Sequence, residues 1–207
     1  METLRKNAIT IMLLLISFTT FSQSVDALLQ SAFRKSYEAE NAKNYANAIS
    51  ELKAGYDPGN YVLNIRLGWL NYLAKQYIES IRYYEKSIAL KPYAIEARFG
   101  CVKPLSALED WERVKKQYIE ILTVDPQNTV ANYWLGVICY NRKEFGNATK
   151  LFEKVVNLYP LDYDSVIMLA WSKLNSSKPS EAKVLFQQAL IIRPNDSSAL
   201  SGLKLIP

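Results

Sequence analysis

The chain has 207 residues and carries 25 Lys and Arg against 20 Asp and Glu, a net charge of +5, with no histidine. The missing histidine removes the usual general base and the commonest metal ligand, and no phosphate loop, nucleophile elbow or metal-spaced cluster stands in for it. Lys and Arg nowhere form a block of five, which argues against a nucleic-acid surface or a strongly anionic membrane patch.

In chain order, Arg5 and Lys6 precede an uncharged run from Ala8 to Phe21 that contains Ile11-Met12-Leu13-Leu14-Leu15-Ile16. A basic start, a short apolar run and the small side chains of Thr20 and Ser22 before Gln23 read as a secretory signal peptide over residues 1–22. The expected location is therefore periplasmic or extracellular. The alternative is an uncleaved segment that tethers the chain to a membrane, although the run falls short of the roughly twenty apolar residues a spanning helix needs. Without residues 1–22 the net charge falls to +4.

Beyond this segment Pro58, Pro92, Pro126, Pro160 and Pro194 stand 34 residues apart. A period of that size marks a chain built from stacked copies of one unit. Other columns keep the period: Leu67, Cys101, Leu135 and Leu169 are apolar, Gly68, Gly136 and Ala170 are small, and Tyr84, Tyr118, Phe152 and Phe186 are aromatic. Leu67, Leu70 and Leu73, or Ile81, Tyr84 and Ile88, recur at three- and four-residue intervals, so each unit is predicted to be two helices. Gly68, Ser80 and Ser87 would let the two backbones approach, with Tyr84 filling the space beside them. Turns such as Asp125-Pro126-Gln127-Asn128 end one helix with proline and cap the next with Asn or Asp.

Leu135-Gly136, Ala148, Phe152 and Pro160 resemble the tetratricopeptide-repeat pattern. The resemblance implies an all-α, right-handed solenoid of about five helix pairs plus a short C-terminal helix. Its divisions are residues 23–60, 61–94, 95–128, 129–162 and 163–196, followed by a partial capping helix over 197–207. The first repeat fits only when shifted by two residues, which puts Ser36, Ala48 and Gly55 at the close-packed positions and aligns Tyr45 with Tyr77. In the third repeat Val102, Val114 and Ile121 replace small residues, and Pro104 is expected to kink its first helix or break a turn, either as a hinge or as drift.

The resemblance also implies that ligand-facing side chains come from three columns of each first helix. These are Phe33, Tyr37 and Glu40; Ile65, Trp69 and Tyr72; Phe99, Lys103 and Ser106; Tyr133, Val137 and Tyr140; and Ile167, Trp171 and Leu174. Any one of them could instead pack against a neighbouring helix. Taken together, a mostly apolar and aromatic stripe marks an interaction face, and Lys103 alone supplies a cation, so the family's carboxylate clamp is not matched. The expected activity is non-catalytic binding of an apolar or amphipathic peptide segment of a protein partner, with no cofactor, metal, small-molecule substrate or nucleic acid. An alternative is an accessory module of a larger envelope or membrane assembly, docking through the apolar Ala199-Leu200-Ser201-Gly202-Leu203 end.

Cys101 and Cys139 could form a disulfide in an oxidising compartment or remain as two buried thiols. The carboxylate groups Glu109-Asp110-Glu112 and Asp162-Asp164 fall at predicted helix starts, where capping is the expected role. Glycosylation acceptors occur at Asn147, Asn175 and Asn195 and matter only in a pathway that glycosylates.

Overall fold

The computed structural model describes residues 27–206; the predicted signal segment lies outside the described residues. Every regular element among them is helical. They are α1 (27–41), α2 (Tyr45–Lys53), α3 (Tyr61–Leu73), α4 (Tyr77–Leu90), α5 (Ile95–Ala107), α6 (Trp111–Val124), α7 (Thr129–Asn141), α8 (Phe145–Leu158), α9 (Tyr163–Asn175), α10 (Pro179–Ile192) and α11 (Ser197–Lys204). The chain divides into two compact units, one ending at Lys91 and holding α1 to α4, the other beginning at Pro92 and holding α5 to α11. Each has its own apolar cluster: Ala48, Leu52, Leu63, Leu67 and Leu70 in the first, and Val166, Ala170, Ala182, Phe186 and Ala189 in the second.

The small columns are where helix pairs close. A Cβ added to Gly68 would lie 3.0 Å from the Tyr84 ring, and one added to Gly136 would lie 2.8 Å from the Phe152 ring. Ser80 Oγ donates a 2.7 Å hydrogen bond to the Gly68 carbonyl, so the closest approach is also bonded.

Between the helices of a pair the chain turns in the same way five times. Lys43, Lys75, Glu109, Lys143 and Ser177 take left-handed φ values of 57–61°, a region that costs a non-glycine residue about 1 kcal/mol. The next residue's amide then reaches back to the last turn, as Asn44 to Ala39, Gln76 to Asn71 and Glu144 to Cys139, at 2.8–2.9 Å. This is the Schellman closure, and its recovered carbonyl bond offsets the missing glycine.

Between pairs, the periodic prolines leave a carbonyl that needs a donor, and at three of them an amide side chain supplies it. Asn64 Nδ2 reaches the Pro58 carbonyl at 3.0 Å, Asn132 Nδ2 reaches that of Pro126 at 3.1 Å, and Gln188 Nε2 reaches that of Pro160 at 2.6 Å. Asn60, Asn128, Asp162 and Asp196 cap the following helices through side-chain oxygens, and Asp110 does the same for α6. The capping role assigned to Asp110 and Asp162 is what these side chains perform.

Two expectations are corrected. Of the two outcomes expected at Pro104, the broken turn does not occur: α5 runs unbroken from Ile95 to Ala107, and Pro104 is buried close to its end. Proline there removes only one amide donor, one turn before the helix would stop. Gly55 is not a close-packed position: it is exposed, with nothing within 4 Å of an added Cβ, because α2 stops at Lys53. Ser36 and Ala48 are fully buried as expected. Cys101 and Cys139 are both buried and are not joined, so the disulfide weighed from sequence is not formed.

Candidate functional site

In the first unit the ligand-facing columns meet in a polar-aromatic cluster. Arg66, only 7 % exposed, pairs with a Glu40 carboxylate oxygen and lays its guanidinium 3.8 Å from the centre of the Tyr37 ring. The other carboxylate oxygen accepts a 2.7 Å hydrogen bond from Trp69 Nε1. Trp69 leans on Tyr72 at 5.7 Å between ring centres, and Tyr72 on Tyr77 at 6.0 Å. Phe33 packs against the core and Ile65 is half-buried, leaving Tyr37 as the exposed member. Trp69 is thus held within the fold by the α1–α3 contact.

In the second unit several predicted residues are likewise committed to packing. Ile167 is a core residue, 7 % exposed, and is removed from the ligand-facing set. The reason is that it sits in the cluster around Phe186. Trp171 stands edge-on to Phe186 at 5.1 Å and donates to Ser198 Oγ at 2.9 Å. Phe99 meets Tyr118 edge-on. Tyr140 packs on Phe145, and its hydroxyl accepts a 3.3 Å hydrogen bond from Asn175. Lys103 is exposed, and Tyr133 and Val137 are half-buried.

Among the large apolar side chains that face solvent, Trp111, Val130, Trp134, Leu158, Tyr159 and Leu161 gather around α7. Val130, Trp134, Val137 and Asn141 follow one another at four, three and four residues, which places them on one helical stripe. Two clefts open along it. One, of about 640 Å³, is walled by Trp111, Val114 and Tyr118 of α6 and by Trp134, Val137 and Ile138 of α7, with Ser106, Asn141 and Arg142 as its polar part. The other, of about 650 Å³, is lined by Val130, Tyr133 and Trp134 of α7, by the end of α8 through Tyr159 and Leu161, and by Asp162 and Ser165. Trp134 belongs to both, and Trp111 and Trp134 are each about half exposed, 49 % and 48 %.

Burial pushes the Tyr118 hydroxyl of the first cleft up to about 12. Burial, then the charges of Asp164 and Asp162, push up Tyr133 in the second. Burial and Glu144 also raise the Cys139 thiol, which disfavours the reactive thiolate. Among the described residues no group of three His, Cys, Asp or Glu side chains is placed to hold a metal ion, and no helix is long and apolar enough to cross a membrane.

Trp111 and Trp134 were not among the residues read from sequence, yet a signal existed. Tyr45, Tyr77, Trp111 and Phe145 each open the second helix of a repeat. In two repeats that ring is covered by a tyrosine five residues earlier, Tyr72 or Tyr140. In the third repeat the same column holds Ser106, too small to cover an indole. An aromatic column broken by serine predicts an exposed tryptophan.

No family model matches the chain. Over 144 residues it is 29% identical to BBSome complex member BBS4 of mouse and of cattle, a match that covers 65% of this chain and 28% of each relative. The chain thus spans little more than a quarter of the curated relatives it matches. Among solved structures, a tetratricopeptide-repeat protein from Parabacteroides merdae superposes with a TM-score of 0.72 at 18% identity, covering 85% of this chain and 71% of that one. MamA gives 0.69 at 16%, covering 80% and 91%. YrrB, described as a TPR protein with an unusual peptide-binding site, gives 0.69 at 14%, covering 89% and 97%. The fold is that of the tetratricopeptide-repeat proteins.

Proposed function

We propose that this chain is a non-catalytic interaction scaffold that holds an apolar or amphipathic peptide segment of a protein partner against the exposed stripe of α7. The observation that carries the reading is the α6–α7 cleft, where two half-exposed indoles flank an apolar floor with polar groups at its margin. Small-ligand and peptide sites share that composition, and tryptophans in such positions tend to dominate binding energy. The peptide-binding site ascribed to YrrB and the complex membership of BBS4 support it.

Peptides selected from a random displayed library against the purified repeats are expected to perturb Trp111 and Trp134 fluorescence. Trp134→Ala should weaken them about thirtyfold, the equivalent of a roughly 2 kcal/mol anchor. Tyr93→Ala, which changes an exposed ring outside both clefts, serves as control. If selected peptides bind Trp111→Ala and Trp134→Ala as tightly as the parent, the reading is wrong.

We further propose that this scaffold lies outside the cytoplasm, from the basic and apolar character of residues 1–22. Cell fractionation with N-terminal sequencing of the recovered chain tests it; a cytoplasmic chain that retains Met1 would refute export. A second reading, docking through the C-terminal end, rests on the exposure of Leu200 and Leu205 on and beside α11. A clean monomer by light scattering at high concentration would remove self-association by that face.

A further inference from the structure

The cleft on the α8–α9 side of Trp134 differs in kind from its neighbour. Tyr133 and Trp134 stand at 84° to each other with ring centres 5.3 Å apart, forming two perpendicular walls. Tyr159 adds a third ring, and Leu158 and Leu161 add apolar surface. The only charged side chain in the lining is a carboxylate, Asp162. One of its oxygens accepts from the Ser165 amide at 3.2 Å. The buried Ser165 hydroxyl has no hydrogen-bond partner. Leu158 and Tyr159 belong to the C-terminal end of α8, where the helix dipole favours positive charge. The opposing positive end of α9 is met by Asp162 itself and by Asp164 within its first turn.

From this arrangement we propose that the cleft receives an arginine side chain of the bound peptide, its guanidinium against the aromatic walls and paired with Asp162. The inference rests on α7 being the ligand-bearing face and adds the chemistry of one ligand position. Aromatic faces attract cations within about 6 Å, and a planar guanidinium stacks on rings and bonds a carboxylate in a way that an ammonium does not. The chain uses the same combination internally: Arg66 lies over Tyr37 and pairs with Glu40, and Arg193 lies 3.7 Å over Tyr163 with Asp164 at 3.9 Å. Nearby cations are engaged elsewhere, Arg193 in that pair and Lys154 with the Pro126 carbonyl at 3.3 Å. Burial first, and then the charges of Asp164 and Asp162, push the Tyr133 hydroxyl up, in keeping with carboxylates set beside this aromatic wall.

The test is titration of the ¹⁵N-labelled protein with acetyl-arginine amide, acetyl-citrulline amide and acetyl-leucine amide. The arginine probe should shift the Trp134 indole and Ser165 amide resonances saturably. It should bind about fivefold or more tightly than citrulline, its neutral analogue, and the margin should shrink as salt is raised. Asp162→Asn keeps a good helix cap and should abolish the preference for arginine while leaving acetyl-leucine amide unchanged. Tyr159→Leu, which leaves Asp162 in place, should reduce it. Equal binding of arginine and citrulline probes, or a preference that survives Asp162→Asn, would overturn the proposal. So would tetramethylammonium binding more tightly than the arginine probe, which would assign the cleft to a small quaternary cation. Library peptides that depend on Trp111 yet show no arginine preference would defeat this inference and leave the scaffold reading standing.

Discussion

Glu40→Ala is expected to destabilise the first unit by about 3–5 kcal/mol, because it leaves the Arg66 guanidinium buried without its anion. Arg66 is 7 % exposed and Glu40 19 %, so water cannot take over as it would for an exposed pair. The same change removes the acceptor for Trp69 Nε1, and a buried donor left unsatisfied adds its own penalty. Urea unfolding followed by Trp69 emission, with the other tryptophans replaced by phenylalanine, measures the loss. The partner variant matters as much. Replacing both residues, Glu40→Leu with Arg66→Met, should recover most of the stability, since an apolar pair of similar volume is often as good as a buried ion pair. A cost below about 1 kcal/mol for Glu40→Ala would show that the pair behaves as a surface one.

That cluster also shows what a single sequence discloses about this fold. Gly68 beneath Tyr84 and Gly136 beneath Phe152 were legible because close packing admits few residue types, and the period repeats them. Tyr45 and Tyr77 open α2 and α4, so the two-residue slip of the first repeat was legible too. The inner face was legible only as columns. Whether a column residue meets a ligand or its neighbour depends on what the adjacent repeat offers. Glu40 fixes Trp69, Ser198 fixes Trp171, and the Phe186 cluster encloses Ile167, so three expected contacts serve the fold. Trp111 is free for the opposite reason, the smallness of Ser106. Glu40 and Trp69 lie 29 residues apart in sequence, and Trp171 and Ser198 lie 27 apart, beyond what helical spacing alone can resolve.

Phe186→Ala is expected to cost the second unit about 3–5 kcal/mol, the range for removing a buried aromatic. Phe186 is fully buried, stands edge-on to Trp171, and lies under Gly202, where an added Cβ would come within 2.2 Å of the ring. Its removal therefore opens a cavity shared by α9, α10 and α11. Gly202→Ala probes the same contact from the other side and should cost less, about 1–3 kcal/mol, because an eight-residue terminal helix can lift away and leave the α9–α10 pair intact. The two variants differ in where protection is lost. Hydrogen exchange should show α11 opening alone in Gly202→Ala, and α9, α10 and α11 opening together in Phe186→Ala, since neighbouring repeats share their interface energy. If α11 kept its protection in Gly202→Ala, the close seat on Phe186 could not be what holds it.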